Sequence, residues 1–176
     1  MNTFLGIHIE DLGGGTTLIG LAFAVSAASE LPIIALGGKL LSRFGPTRLI
    51  TLSLVVYTAR FILLSVITEP VWILPVQALH GLSFGAFLMA SVTLAYRLAG
   101  PTQAATARAL LTAMSYGFGS ITGALVGGAL LDRIGTEGLF RGAAVMMVFT
   151  MAVLLIGNRV IGLDRAAGDA STRATA

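Results

Sequence analysis

Five long apolar stretches dominate this chain and leave few folds open to it. They cover residues 16–37, 48–68, 71–99, 105–131 and 139–161 of the 176. A helix that crosses about 30 Å of hydrocarbon needs about 20 largely apolar residues, and each stretch is long enough. The connectors between them are short and contain Gly, Pro or charged residues, so neighbouring helices have to run antiparallel. The sequence therefore predicts an all-α polytopic membrane protein.

The composition supports this class and excludes several others. Soluble domains average about 45–50% apolar and about 25% charged residues, whereas this chain has 56% hydrophobic and 11% charged residues. The absence of Cys excludes a disulfide framework, a thiolate metal site and a Cys nucleophile. The 11 basic residues do not cluster, which argues against a nucleic-acid partner. His8 and His80 are too far apart and too unaccompanied for a metal site, and no hydrolase or nucleotide-binding motif occurs, so we predict no enzyme activity, metal or cofactor.

The two ends of the chain differ from its middle. Residues 1–9 are apolar and compatible with a helix, but at about 1.5 Å per residue they are too short to cross a bilayer. We interpret them as the remnant of a preceding span, so that residues 1–163 form one helical bundle. Residues 164–176 are small and polar, which predicts a disordered cytoplasmic tail.

The distribution of positive charges predicts the orientation, because Lys and Arg concentrate on the cytoplasmic side of bacterial membrane proteins. One side of the predicted bundle carries only Arg133 and Arg141. The other side carries eight basic residues: Lys39, Arg43, Arg48, Arg97, Arg108, Arg159, Arg165 and Arg173. We therefore expect an integral protein of a bacterial inner membrane with its C-terminus in the cytoplasm.

An internal repeat relates the two halves of the chain. Residues 37–45 and 127–135 are identical at six of nine positions, at an offset of 90 residues. Each segment ends a predicted span, yet the charge distribution places the two on opposite sides of the membrane. That arrangement is typical of the inverted repeats of secondary transporters. The alternative is that two helix ends of similar composition match by chance.

The segment 38–48 carries a family likeness. It resembles the G-x-L-x-D-R-x-G-x-x-R loop of the major facilitator superfamily, except that Ser42 stands where the pattern prefers Asp. The whole chain resembles the C-terminal half of such a transporter, spans seven to twelve, with span seven truncated. The resemblance implies a six-helix half built as a 3+3 inverted repeat, and a missing N-terminal half or a second copy as partner. It also implies a cytoplasmic gate loop that contains Gly38, Arg43, Gly45 and Arg48.

Three further segments narrow the resemblance. The segments 30–32, 57–60 and 77–84 resemble the branch of lactose permease-like and nucleoside–proton symporter-like proteins. That branch has a buried Arg in span nine and a Leu-His pair in span ten. Ser83 stands where lactose permease-like proteins carry a proton-binding Glu, so that detail of their proton path does not carry over. The resemblance is specific for superfamily and branch but not for the solute.

The sequence also predicts a candidate site inside the bundle. Glu30, Arg60 and His80 are the ionisable side chains, Tyr aside, that lie well inside the spans, each on a different one. Such groups are expensive in a bilayer and normally face a cavity or a partner. Gln77 and Ser83 share a helical face with His80, Phe87 and Ser91, and that face suits a polar solute with a ring. The alternative is a structural ion pair that locks the helices together.

These features predict secondary active transport of a small polar solute, sugar-like or nucleoside-like, by proton-coupled alternating access. Arg60 and Glu30 would form a switchable pair, and His80 and Gln77 would bind solute. Besides lipid, the expected partners are the solute, protons and the other half of the transporter, without which we expect no transport. Two alternatives stay open: a non-transporting scaffold or receptor with this fold, and an integral-membrane enzyme, for which the sequence shows no nucleophile or metal cluster.

Overall fold

The computed structural model describes residues 2–100 and 102–162, and its regular structure there is helical throughout. The predicted tail, 164–176, lies outside the described residues. The first three helices are α1 (Asn2–Asp11), α2 (Thr16–Phe44) and α3 (Pro46–Val66). The helix α4 covers Pro70–Ala99, α5 covers 104–134 and α6 covers 136–161. The structure confirms the predicted all-α class.

Four of the helical stretches in the described residues are long and apolar enough to cross a membrane. The last of them, Ala104–Val160, is interrupted at Gly135, whose φ of 68° and ψ of 179° are not helical. The chain reverses there, because Phe140 stacks on Phe61 near the end of α3 and Leu154 packs in a cluster with Leu49 near its start. The division into α5 and α6 thus falls at the connector that the sequence predicts between the fourth and fifth spans.

The helices extend further than the predicted spans, so the predicted loop conformation of residues 38–48 was wrong, whereas the gating role of this segment stays a prediction. The predicted gate loop, 38–48, is a joint of two helices in which the single residue Gly45 makes the turn, with φ 73° and ψ 163°. Gly38 and Arg43 lie inside α2, and Arg48 lies in the first turn of α3. A helix continues through Gly38 because glycine is tolerated in membrane helices. Only Gly45 adopts a conformation reserved for glycine, and the next helix begins directly after it with proline.

Two helices contain a wide π turn that the sequence analysis did not predict. In α4 a 3₁₀ turn (Pro70–Trp72) leads into an α segment (Ile73–Ala78), a π turn (Gly81–Gly85) and a second α segment (Ala86–Ala99). The helix α5 has a π turn at Ala113–Phe118. Such turns break the regular hydrogen-bond ladder and frequently occur at functional sites.

The core consists of two clusters at opposite ends of the bundle. One lies near the turn at Gly135, here called the Gly135 end, and joins Ile9, Phe61, Leu64, Ile73 and Phe140. The other lies near the turn at Gly45, the Gly45 end, and joins Leu49, Leu54, Ala86, Ala90 and Leu94. The helix α3 contributes to both clusters, so it holds α4 and α6 along its whole length. Between the two clusters lies the polar site described below.

The internal repeat is matched by local geometry. Gly45 and Gly135 are equivalent in the repeat, and both adopt a φ near 70° with an extended ψ. Gly37 faces Met89 of α4, and its equivalent Gly127 faces Phe4 of α1. An inverted repeat pairs α2 with α5 and α1 with α4, so these two contacts correspond to each other. Superposition of the two halves by a rotation of about 180° stays a prediction.

Candidate functional site

The guanidinium of Arg60 is the centre of the polar site. Arg60 lies on α3 with only 5% of its surface exposed. It donates hydrogen bonds to the amide oxygen Oε1 of Gln77 and to the hydroxyl of Ser83, the latter at 3.2 Å. Gln77 and Ser83 are both fully buried on α4. A buried cation therefore sits between two neutral partners and ties α3 to the middle of α4.

Glu30 and His80 form a second pair beside the first. The distance from Oε1 of Glu30 on α2 to Nε2 of His80 on α4 is 3.3 Å. The imidazole also stacks on the ring of Phe84, with 5.2 Å between centroids. Because a carboxylate accepts hydrogen bonds, its imidazole partner has to carry the hydrogen on Nε2. The other ring nitrogen, Nδ1, then accepts in the neutral imidazole and donates in the imidazolium.

The pairing differs from the predicted one. The ion pairs found within 4 Å among the described residues do not include Arg60 with Glu30. All five predicted site residues nevertheless meet at the junction of α2, α3 and α4: Glu30, Arg60, Gln77, His80 and Ser83. Helix packing, and not charge alone, decides which of them pair.

Several polar atoms at this junction are buried but have no hydrogen-bond partner in the described structure. They are Nε of Arg60, Nε2 of Gln77 and Nδ1 of His80. The first two are donors, and the third is a donor or an acceptor depending on protonation. A buried polar group without a partner costs about 1–3 kcal/mol, so the arrangement of these atoms is unfavourable for the stability of the chain.

Close packing of α2 on α4 brings Glu30 to His80. The backbone N–H of Gly81 donates to the hydroxyl of Ser29 over 2.8 Å, and that hydroxyl donates to the Ser26 carbonyl over 2.6 Å. A Cβ at position 81 would overlap the Ser29 carbonyl, so this approach requires glycine. Ser29 and Gly81 were missed as site-forming residues. The Gly81–Gly85 spacing, a small-xxx-small pattern, is the sequence signal from which this contact could have been predicted.

Ser83 links the π turn to the cation. Its hydroxyl lies 3.1 Å from the backbone carbonyls of both Leu79 and His80, to which it donates, while its oxygen accepts from Arg60. The π turn, in which the N–H of Ala86 reaches the carbonyl of Gly81, rearranges the backbone next to these carbonyls. The distorted helix and the buried charge are thus parts of one arrangement.

Aromatic rings border the site. Tyr57 on α3 stacks on Phe61, with 5.6 Å between centroids, and meets Phe87 of α4 edge to face at 6.4 Å. Ser91, the last residue of the predicted stripe, is half-buried one turn further along α4. The rings of Tyr57, Phe84 and Phe87 offer flat apolar surface near the polar atoms.

The residues of the predicted gate lie apart from this site, at the Gly45 end. Arg43 and Arg48 are exposed there on either side of Gly45. The guanidinium of Arg43 lies 5.7 Å from the ring centre of Phe44, and the hydroxyl of Ser42 donates to the Lys39 carbonyl of its own helix. The short joint thus presents two cations at one end of the bundle.

Comparison with known proteins establishes the family. Residues 1–142 match the model of the MFS_1 like family. The chain belongs to this family. MFS is the major facilitator superfamily that the sequence resembles, and its members are transporters and not enzymes. The finer branch that the sequence resembles stays a prediction.

Individual relatives agree with this assignment. A maltose permease of Geobacillus stearothermophilus is 34% identical over 171 residues, which cover 96% of this chain and 42% of the permease. A human major facilitator superfamily domain-containing protein 6-like is 27% identical, over 94% of this chain and 28% of its own length. The uncharacterized transporter YwbF of Bacillus subtilis is 26% identical, over 76% of this chain and 33% of its own length. The chain thus spans less than half of each of these relatives. No solved structure gives a significant match.

Proposed function

We propose that this chain forms the solute-binding C-terminal half of a proton-coupled secondary transporter for a neutral, hydroxylated solute. The observation that carries the proposal is the buried guanidinium of Arg60 between Gln77 and Ser83, next to the Glu30–His80 pair. Buried ionisable groups inside a membrane bundle normally serve a substrate or ion path. Here they converge from three helices onto one junction.

The unpaired polar atoms favour hydroxyl groups as ligands. Nε of Arg60 and Nε2 of Gln77 can donate to a hydroxyl oxygen, and Nδ1 of a neutral His80 can accept a hydroxyl hydrogen. The charges of Arg60 and Glu30 compensate each other, so the site does not require a charged solute. A polyhydroxy ring, as in a sugar or a nucleoside, satisfies both conditions.

One observation favours a sugar as the first class to test, and the aromatic surface is compatible with it. A relative that is 34% identical over nearly the whole chain carries the name maltose permease. The rings of Tyr57, Phe84 and Phe87 can pack against the apolar face of a pyranose, as well as against a nucleobase. The aromatic surface alone does not separate the two solutes, and the polar atoms are equally suited to both.

The Glu30–His80 pair supports proton coupling. Protonation of Glu30 removes the negative charge that faces Nε2 of His80 and adds an O–H donor, so the attraction between the two side chains weakens and the imidazole can change its partner. Because His80 shares α4 with Gln77 and Ser83, a change in its position reaches the residues that hold Arg60. In the proposed mechanism this step links proton binding to solute binding during alternating access.

The proposed setting follows from the charges and the family. We place the Gly45 end in the cytoplasm of a bacterial inner membrane, because the basic side chains concentrate there. Solute would be enclosed between this chain and an N-terminal half, or a second copy. The joint with Arg43 and Arg48 would contribute to the cytoplasmic gate.

The test measures solute binding by the purified 176-residue chain in lipid nanodiscs. We expect a neutral sugar, in a panel with nucleosides and charged analogues, to raise the melting temperature. Gln77→Leu should weaken the apparent affinity about tenfold or more, because loss of one buried hydrogen bond costs about 1.5 kcal/mol. Thr93→Val is the matched control: it also removes a polar group from α4, but the Thr93 hydroxyl donates to the Met89 carbonyl of its own helix.

Proton linkage is tested on the same samples. The affinity of the wild type should change with pH, and the change should be smaller in Glu30→Gln, because glutamine does not titrate and His80 is then the one titratable member of the pair. Stabilisation by none of the solutes would contradict the proposal that this chain contains a solute-binding site. Binding with the same pH dependence in both proteins would leave a solute site but remove Glu30 from its proton path.

A further inference from the structure

A second buried polar cluster lies at the Gly135 end, away from the site described above. His8 on α1 is 1% exposed, and Thr136, the first residue of α6, is 6% exposed. Nδ1 of His8 lies 2.9 Å from the hydroxyl of Thr136, and Nε2 lies 2.9 Å from the Leu64 carbonyl of α3. The Thr136 hydroxyl lies 3.1 Å from Oδ2 of Asp11. One imidazole thus joins three helices at the point where α5 turns into α6.

Hydrogen counting shows that this cluster needs a proton. A carbonyl only accepts, so Nε2 of His8 has to donate to Leu64. In a neutral imidazole Nδ1 is then an acceptor and takes the one hydrogen of the Thr136 hydroxyl. No hydrogen remains for the contact between Thr136 and the Asp11 carboxylate. All three contacts are hydrogen bonds only if His8 or Asp11 binds one additional proton.

The two protonated forms are chemically distinct but equivalent in their bonding. If His8 holds the proton, Nδ1 donates to Thr136 and Thr136 donates to ionised Asp11. If Asp11 holds it, Asp11 donates to Thr136 and Thr136 donates to His8. Without the proton, one of the three bonds is lost, and Asp11, which is exposed, turns to water.

Opposing influences act on a positive charge at this junction. Burial of the His8 ring disfavours the charge and is the largest of them, whereas the carboxylates of Asp11 and Glu137 favour it. The Phe140 ring meets the imidazole edge to face at 5.1 Å. Arg60, one turn before Leu64 on α3, is bound to Gln77 and Ser83 and points to the other site. The charged side chains on the elements near the junction are Glu10, Asp11, Arg60, Glu69, Asp132, Arg133, Glu137 and Arg141, the last paired with Glu137 at 3.4 Å.

We propose that His8, Thr136 and Asp11 form a second proton-binding site that latches the last turn of α1 to the first turn of α6. With the proton bound, the latch is closed and three hydrogen bonds hold α1, α3 and α6 together. Without it, the bond between Asp11 and Thr136 is broken and the Gly135 end loosens. The latch does not depend on the nature of the solute or on the Glu30–His80 pair.

The first test measures movement in the full chain in lipid nanodiscs. The sequence contains no Cys, so spin labels at Gly6→Cys and Gly142→Cys report only the separation of α1 and α6. A Cβ at either position meets no other atom within 4 Å. Across pH values from about 3 to about 8, which bracket the ordinary pKa values of Asp and His, we expect a narrow distance distribution at low pH and a broader, longer one at high pH.

Three variants in the labelled chain make the test decisive. In Asp11→Asn the amide can donate to Thr136 without an added proton, so the latch should stay closed at every pH. In Asp11→Ala the bond cannot form, so the distribution should stay broad. Thr136→Ser keeps the hydroxyl and should keep the pH dependence. Equal distributions for Asp11→Asn and Asp11→Ala, or a wild type that does not respond to pH, would overturn the proposal.

Nitrogen NMR of the imidazole identifies the proton carrier. The chain has two histidines, so His80→Gln leaves the signals of His8 alone. Two protonated ring nitrogens at low pH place the proton on His8. A ring that stays neutral at low pH, in a chain whose labels respond to pH, places it on Asp11. A ring that stays neutral in a chain whose labels do not respond to pH would contradict both forms.

Discussion

Arg60 is a cation in a place where a cation is expensive. It has 5% of its surface exposed and no carboxylate within 4 Å among the described residues. A charged side chain at the centre of a membrane helix costs about 2.5–3.5 kcal/mol on insertion scales. Two neutral partners offset only part of that cost. Its presence is therefore better explained by binding than by stability.

This reasoning predicts that Arg60→Leu separates stability from function. We expect solute-dependent stabilisation to disappear, while the melting temperature of the chain without solute stays the same or rises. Phe61→Ala, at the adjacent buried position, should instead lower stability by about 3–5 kcal/mol, because it truncates a core ring. Thermal unfolding in nanodiscs, with and without sugar, measures both effects. A loss of stability in Arg60→Leu as large as that in Phe61→Ala would make Arg60 a structural residue.

At the residue scale, the sequence predicted which side chains meet but not how they pair. Glu30, Arg60 and His80 were recognisable because ionisable groups are rare inside apolar stretches. Their partners depend on the rotation of each helix, which a pattern of residues along one chain does not determine. The hydroxyl of Ser83, for example, is aimed at Arg60 by the irregular backbone of α4.

At the scale of elements, the contact between α2 and α4 depends on one glycine. A Cβ at Gly81 would overlap the Ser29 carbonyl, whereas a Cβ at Gly85 would find side-chain atoms of Ile33 and Glu30 at 3.6 Å or more. Both glycines belong to the same π turn. They therefore provide a matched pair in which helix propensity is equal and only packing differs.

We predict that Gly81→Ala forces α2 away from α4 and destabilises the chain by about 1–3 kcal/mol, the usual cost of overpacking. Gly85→Ala should change stability by less than about 1 kcal/mol, because its Cβ meets ordinary van der Waals contacts. Thermal unfolding of the two variants beside the wild type gives the comparison. If both alanines are tolerated equally, the close approach at Gly81 does not hold the helices together.

Some helix ends could be predicted from the sequence, whereas other helix ends and the π turns were not predicted. The end of α1 was predictable, since the run Gly13–Gly15 interrupts it. The continuation of α2 through Gly37 and Gly38 was not, because glycine ends a helix only where the backbone adopts a positive φ. The π turns were also not predicted, since nothing in the residues of either helix was recognised as a signal for them.

At the scale of the whole molecule, the antiparallel course of the helices makes the topology testable. The turns at Gly45 and Gly100 lie at one end of the bundle, and the turn at Gly135 lies at the other. We fuse a reporter that functions only in the cytoplasm after Ala176. It should be active there, because the basic side chains concentrate at the Gly45 end. A fusion after Gly135, at the opposite end of the bundle, should be inactive and serves as the control. The opposite result at both positions would invert the proposed orientation.

The fold class and the family were predictable from the whole sequence because both rest on global properties. Apolar length requires membrane helices, and the segment 38–48 preserves a pattern of residues whatever its exact backbone. The latch residues were not predictable, because His8, Leu64 and Thr136 are far apart in the sequence and meet only after α1, α3 and α6 pack. Distance along the chain is thus what limited the prediction.

The joints at Gly45 and Gly135 have a mechanical consequence. Each connects two long helices through one residue, so the joint has almost no slack. A lever that is hinged without slack transmits a tilt of one arm directly to the other. A tilt of α2 around Glu30 therefore moves α3, and a tilt of α5 moves α6 together with Thr136. The bundle thus contains two V-shaped pairs of helices, α2 with α3 and α5 with α6. A displacement at one end of a helix is passed through its joint to the other helix of the pair.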